Sequence, residues 1–301
     1  MGVLGSALIA LLGLGAPIAL ALIAVTVGFI LYDPLLSESA IFRSFFSFVN
    51  KYTLMAIPFF IYAGFLMERT GLIAKLFRFA DALVGWVPGG FAYATILAAV
   101  MFGAISGSST AMAAAMGVVA YPEMIKRGYP KWMAAGVIAT GGGIAILIPP
   151  SITLILYGVL TDESIVKLFF AGVIPGLMLA LSDAAIVLTM ALITKLPAAN
   201  FSWRELRDAA IDALPALLMP VFVLGALYGG VLTPTEAGAG ACAYAMIYGL
   251  LSLRRKFVTE IIAATERAVN LTANNFFLIG GVGIFQFLLA NQGWPQDIAS
   301  W

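Results

Sequence analysis

Four side-chain hydroxyls fall within five residues at Ser106, Ser108, Ser109 and Thr110, with Gly107 among them, inside an apolar run long enough to enter a bilayer. A second interruption follows at Gly141-Gly142-Gly143 and Ile148-Pro149-Pro150-Ser151, again between apolar stretches. Hydroxyl oxygens, together with carbonyls that glycine lets turn inward, suit a small hard cation such as Na⁺. Half-helix C-termini favour cations and N-termini favour anions, so each interruption suits a small cation and an anion-handling site. Pro149 and Pro150 have no amide proton and leave nearby carbonyls without helical partners. Broken backbone is tolerated at membrane depth only where protein or a water-filled cavity satisfies it, because every orphaned group is costly in hydrocarbon. The residue pattern therefore points to an ion-binding site built from Ser106, Gly107, Ser108, Ser109, Thr110, Gly142, Gly143, Pro149, Pro150 and Ser151. For any single glycine the competing reading is close helix packing, as Gly103 and Gly107 would allow, and for Pro149-Pro150 it is a simple kink.

Two carboxylates also fall in apolar segments. Asp183 is central in its span and Glu236 opens another, and an ionisable group at such depth is a functional candidate because burial there is expensive. Glu236 follows Thr233-Pro234-Thr235, so Thr233, Thr235 and Glu236 are candidates either for substrate contact or for a helix cap with an early-turn carboxylate. Asp183, an intramembrane polar candidate, could equally hydrogen-bond within a bundle beside Ser182. The aromatic residues Tyr32, Trp86, Tyr129, Trp132 and Trp203 sit at span ends as interfacial anchors, and Met112, Met116, Met124 and Met133 read as packing. The chain has no histidine, which excludes His-dependent zinc sites, Ser-His-Asp triads and His-ligated haem, and its single Cys242 permits no disulfide framework. No catalytic residue, cofactor or metal other than Na⁺ is expected.

The elements that must carry these residues are membrane helices. The chain is 62% hydrophobic and 10% charged, whereas soluble domains carry roughly 25% charged residues. A net charge of +1 gives no field for nucleic acid. Hydropathy marks spans at 3 to 32, 51 to 67, 132 to 160, 165 to 194, 210 to 232, 235 to 253 and 273 to 290, near the roughly 20 residues a bilayer requires. The first reads as one permanent helix, too long for a signal-peptide core. Residues 69 to 88 alternate charge and apolar side chains at helical spacing, which suits an interfacial helix or one packed across the bundle.

Segment 91 to 122 is divided by its serines into halves of about 22 and 20 Å, each too short to cross a 30 Å core. A re-entrant hairpin fits those lengths. With the hairpin, 13 of the 16 Lys and Arg residues share one side; a full span gives 12. The positive-inside rule accepts both and puts Lys126, Arg127, Lys131 and Arg254 to Lys256 in the cytoplasm. An internal repeat favours the hairpin: Gly15-Ala16-Pro17 matches Leu232-Thr233-Pro234, and the stretch 59 to 64 matches 276 to 281, at one offset of 217 residues. The hairpin topology makes these copies inverted. The same offset puts partners of the two interruptions beyond Trp301, so a fragment with an incomplete second half is expected. The organisation expected is scaffold and interfacial helices over 1–89, a first transport-domain unit over 90–194 (hairpin 91–122, broken helix 132–160), and the start of a second repeat over 195–301.

Taken in order, the stretches Ala56 to Gly64, Phe102 to Ser108, Ile148-Pro149-Pro150-Ser151 and Thr233-Pro234-Thr235-Glu236-Ala237 resemble the signatures of the large membrane subunit of tripartite ATP-independent periplasmic (TRAP) transporters. The resemblance implies an all-α polytopic integral membrane protein of elevator type with inverted repeats, located in the bacterial inner membrane. It implies Na⁺-driven import of an organic acid, usually a carboxylate, with a small four-helix membrane subunit and a periplasmic substrate-binding protein as partners. By motif, Ser106 to Thr110 match a hairpin tip and Gly142 to Ser151 an unwound helix that together form a Na⁺ site. The alternative within the class is a Na⁺/dicarboxylate carrier that needs no binding protein. An ion channel would want a continuous polar stripe, and an intramembrane enzyme a nucleophile with a base; the chain offers neither pattern.

Overall fold

A computed structural model describes residues 2–32, 38–194 and 196–299, and among them every regular element is a helix. The chain divides into two compact units, Met1–Leu54 with Val269–Trp301, and Met55–Ala268.

In the first unit the expected helix over 3 to 32 is two: α1 (Gly2–Gly13) and α2 (Ile18–Tyr32). Gly15 takes a left-handed φ of 82° and Pro17 has no N–H to continue the ladder. Hydropathy ran through the turn because Leu14 and Ala16 are apolar. The halves, 12 and 15 residues long, would rise only about 18 and 22 Å. Leu4 of α1 and Val25 of α2 are buried together with Leu288. α3 (Glu38–Val49) was not expected; Ser39, Arg43, Ser44 and Ser47 form a polar face along one side and hold its mean hydropathy down.

The second unit carries α4 (Ala56–Arg69), α5 (Leu72–Val84), α6 (Gly90–Ser106), α7 (Ser109–Lys126), α8 (Lys131–Leu147), α9 (Ile152–Thr161), α10 (Ile165–Thr194), α11 (Trp203–Tyr228) and α12 (Pro234–Leu253). α13 (Phe257–Asn291) begins there and runs into the first unit, which ends with α14 (Trp294–Ala299). Among the described residues three stretches are long and apolar enough to cross a membrane: Ile165–Thr194, Trp203–Tyr228 and Pro234–Asn291, the last containing α12 and α13. α8 and α9 pass the same test as one span bent by 43° at the break.

Segment 91 to 122 folds as a helical hairpin. Along α6 and α8 the close pairs are Ala99 with Gly141 and Gly103 with Ala145, so these helices run parallel; Ser109 with Gly142 and Met112 with Gly141 make α7 antiparallel to α8. α6 and α7 therefore run oppositely, and their open ends meet where the Phe91 ring lies 4.0 Å from the Arg127 guanidinium and 6.5 Å from the Tyr129 ring. Phe91, Phe102, Met112, Met116, Met124, Met133 and Ile144 share one buried core with Val187 of α10, so all four methionines pack as their spacing suggested.

α5 turns Leu72, Ile73, Leu76, Phe77 and Ala80 inward, against α6 and α11. Its charged side is spent on neighbours: Arg78 donates to Glu205 at 2.7 Å and Asp212 at 2.8 Å, and Asp81 accepts from Arg127 at 3.1 and 3.3 Å. α5 is thus packed on α6 and α11.

Candidate ion site at the hairpin tip and the broken helix

The tip of the hairpin turns on Gly107, whose φ of 57° is left-handed. A side chain there would be strained by the backbone and would also collide, because its Cβ would lie 2.2 Å from the Pro150 carbonyl oxygen and 2.8 Å from Ser151 Cα. The absent side chain is what lets the tip touch the break, and the Gly107 carbonyl accepts there from the Ile152 amide at 3.4 Å. Ser106 is buried, and its hydroxyl accepts from the Ser108 amide at 3.4 Å. Ser108 caps α7, accepting from Ala111 N at 3.3 Å and sharing a hydrogen bond of 3.2 Å with the exposed Thr110 hydroxyl. Ser109 opens α7 half-buried.

The other wall is the break. In an unbroken helix the carbonyls of Ala145 and Ile146 would accept from residues 149 and 150, which are prolines and have nothing to donate. Ser151, wholly buried, substitutes its hydroxyl proton for one of these, donating to the Ile146 carbonyl, and accepts from Leu154 N at 3.4 Å as the cap of α9. Gly142 is buried with its Cα side against Ser109, where an added Cβ would stand 3.3 Å from the Ser109 carbonyl. Gly143, half-buried, faces Leu179 of α10 and lies off the tip. The structure thus brings Gly107 onto Pro150 and Ser151, and Ser109 onto Gly142, with Ser106, Ser108 and Thr110 beside them at the tip and Gly143 flanking the break.

Four helix ends converge there. The C-termini of α6 and α8 present partial negative charge and the N-termini of α7 and α9 partial positive charge. No histidine, cysteine or carboxylate joins them, and no group of three or more such ligands occurs anywhere among the described residues. A ligand set of neutral hydroxyls and carbonyls fits a monovalent cation better than a divalent one, whose sites draw on carboxylates.

Comparison with known proteins gives the family. Residues 6–301 match the family model described as tripartite ATP-independent periplasmic transporter, DctM component. The chain belongs to this family. It is 41% identical over 253 residues to the C4-dicarboxylate TRAP transporter large permease protein DctM of Pseudomonas aeruginosa, covering 84% of this chain and 59% of that protein. It is also 41% identical to the DctM protein of Vibrio cholerae (94% of this chain, 68% of the relative), and 34% identical to the ectoine/5-hydroxyectoine TRAP transporter large permease protein UehC of Ruegeria pomeroyi (97% and 69%). The chain therefore spans between about three-fifths and two-thirds of the length of these relatives. The family is one of membrane transporter permeases and not of enzymes.

The remaining expected residues lie apart from the tip. Thr233 and Glu236 complete a reciprocal capping box on α12: the Thr233 amide and hydroxyl each donate to Glu236 Oε2 at 2.8 Å, while Thr233 Oγ1 accepts from the Glu236 amide at 3.3 Å. Thr235 is buried behind them. Asp183 lies on the buried stripe of α10 with Gly176, Ala180 and Val187. Its Oδ2 has no hydrogen-bond partner among the described residues, and the Ser182 hydroxyl donates instead to the Met178 carbonyl at 2.8 Å. Two further glycines support the tip, Gly64, which the sequence did not single out, and Gly103, which it offered as a close-packing residue. Gly64 lies against Ser106, with an added Cβ 3.2 Å from its Cα and Cβ, and Gly103 lies so close to Ala145 that a Cβ would stand 2.7 Å from its Cα. Both fall inside stretches that carry the family resemblance, and that was the available signal.

Proposed function

We infer that this chain is the large permease of a Na⁺-coupled secondary transporter that imports an organic acid, with Na⁺ held where the hairpin tip meets the broken helix. The observation that carries the reading is the Gly107 contact, which joins two helix C-termini, buried serines and proline-freed carbonyls in a place without formal charge. A cation bound there would be held by neutral oxygens and would also shift the balance toward negative substrate at the neighbouring N-termini of α7 and α9, which is coupling in its simplest electrostatic form. Relatives named for C4-dicarboxylates, at 33 to 41% identity, support a carboxylate as cargo. A small four-helix membrane subunit and a periplasmic binding protein that delivers the acid complete the assembly. Within it, residues 1–89 act as scaffold, 90–194 as a first transport-domain unit and 195–301 as the start of a second repeat. α6, α7, α8 and α10 share one core, which α5 joins through Ile73, Phe77 and Ala80.

The test is uptake into proteoliposomes holding the full-length permease with both partners. Ser106→Ala removes one candidate oxygen ligand and should raise the Na⁺ concentration for half-maximal uptake several-fold while leaving the acid's own half-saturation at high Na⁺ near wild type. Unchanged Na⁺ dependence would refute the ion assignment. Uptake that persists without the binding protein would instead support the self-sufficient Na⁺/dicarboxylate carrier.

A further inference from the structure

The first unit holds a groove that the transport reading does not use. α3 sits on α13 through two rings, Phe45 over Gly280 and Phe48 over Gly283, so close that an added Cβ would come within 2.1 and 2.6 Å of them. Beside this seat opens a cavity of about 610 Å³, lined by Arg43, Ser44, Ser47 and Phe48 of α3 and by Gln286 and Phe287 of α13, among others. Arg43 is exposed and has neither a hydrogen bond nor an ion pair among the described residues. Its five donors are therefore available in a planar fork matched to an oxyanion. Two hydroxyls and a carboxamide stand around it, whereas the two phenyl rings make the floor apolar. Gln286 lies in the last two turns of α13, five residues before Asn291 closes the helix, so the groove opens near that helix end.

We propose that this groove binds the phosphate of a membrane phospholipid. Arg43 grips two phosphate oxygens, Ser44, Ser47 and Gln286 donate to the rest of the headgroup, and the glycerol and first acyl carbons lie on Phe48 and Phe287. A free phosphate ion could meet the guanidinium but would leave the phenyl floor and most of the volume unused. The combination of an unspent cation and an apolar floor fits an amphiphile.

The test titrates short-chain phosphatidylglycerol onto the purified 301-residue protein in detergent, reading bound lipid by native mass spectrometry. Arg43→Gln should weaken binding about fivefold, the scale of one basic residue at an anionic surface. Arg43→Lys, which keeps the charge and loses the fork, should fall between Arg43→Gln and wild type. Arg204→Gln, at an exposed arginine on α11, should bind as wild type does. Wild-type affinity in Arg43→Gln would overturn the proposal. So would full displacement of the lipid by an equal concentration of inorganic phosphate, which would mean a free-oxyanion site, or equal binding of neutral diacylglycerol, which would mean an apolar groove alone. Should Arg43→Gln not yield folded protein, Gln286→Leu serves in its place, with a two- to threefold loss expected and unchanged affinity counting against the site.

Discussion

Gly107 and Gly128 share a left-handed backbone, with φ of 57° and 85°, but only Gly107 has atoms within reach of an added Cβ. Alanine at either position incurs the conformational penalty of about 1–2 kcal/mol for an L-residue in that region. At Gly107 it must also force Pro150 and Ser151 away from the tip. Gly107→Ala should therefore lower the thermal unfolding midpoint clearly more than Gly128→Ala does, and equal midpoints would mean that tip and break are not in contact. Asp183 makes the opposite case. A buried carboxylate oxygen without a partner has lost its hydration for no return, a deficit of about 1–3 kcal/mol. Asp183→Leu should raise the unfolding midpoint of the purified protein; a fall would reveal that the carboxylate is met by a group the chain acquires from solvent or a partner. The tip and the break were legible in the sequence because hydroxyls, glycines and paired prolines are conspicuous in an apolar run. Gly103 was legible as a packing glycine but its partner helix was not, and Gly64 was not legible at all, since a glycine's role depends on which helix approaches it.

At the level of elements, hydropathy found helices wherever the apolar run matched the bilayer and failed where local chemistry disagreed with it. The turn at Gly15 to Pro17 is apolar yet cannot be helical, and α3 is helical although its serines and Arg43 lower its hydropathy. The start of α13 was missed for the same reason, because Glu260, Glu266 and Arg267 sit in a helix that extends 16 residues before the apolar stretch at 273. α5 shows how charge then fixes an element whose direction hydropathy left open. The Arg78 hydrogen bond to Glu205 holds that carboxyl below its ordinary range. Depressed in the folded state, Glu205 contributes stability that is present above the usual carboxylate value, about 4.3, and is lost as pH falls through the folded value. Arg78→Gln should therefore melt below wild type at pH 7, with the gap closing on acidification toward about pH 3. Both groups are exposed, so 1 M salt should shrink the gap at pH 7 as well. A gap that is independent of pH and salt would assign α5's attachment to its apolar face alone.

For the molecule as a whole, contacts among the loops of the second unit show which of them share one side. The four loops expected together on the cytoplasmic side, 69 to 89, 123 to 131, 195 to 208 and 253 to 267, are tied to one another. Arg127 pairs with Asp81, Arg78 with Glu205, and the backbone joins Gly89 to Pro197 and Ala199 to Gly85. Arg69 pairs with Glu260 and Glu68 with Arg267. A full span over 91 to 122 would put Arg127 and Asp81 on opposite faces of a bilayer, whereas their oxygen and nitrogen are 3.1 Å apart. Lys167 begins α10, a helix of 30 residues that rises about 45 Å and so delivers Arg204 to the far face. Single cysteines introduced into a Cys242→Ala background make this measurable, because Cys242 itself is buried with Sγ 2.9 Å from the Phe59 carbonyl. An impermeant maleimide added outside spheroplasts should label Lys167→Cys and spare Lys126→Cys and Arg204→Cys, and all three should react once the membrane is permeabilised. Labelling of Lys126→Cys from outside with Arg204→Cys still protected would place the two ends of the hairpin on different sides, and the inverted repeat read from the 217-residue offset would fall with it.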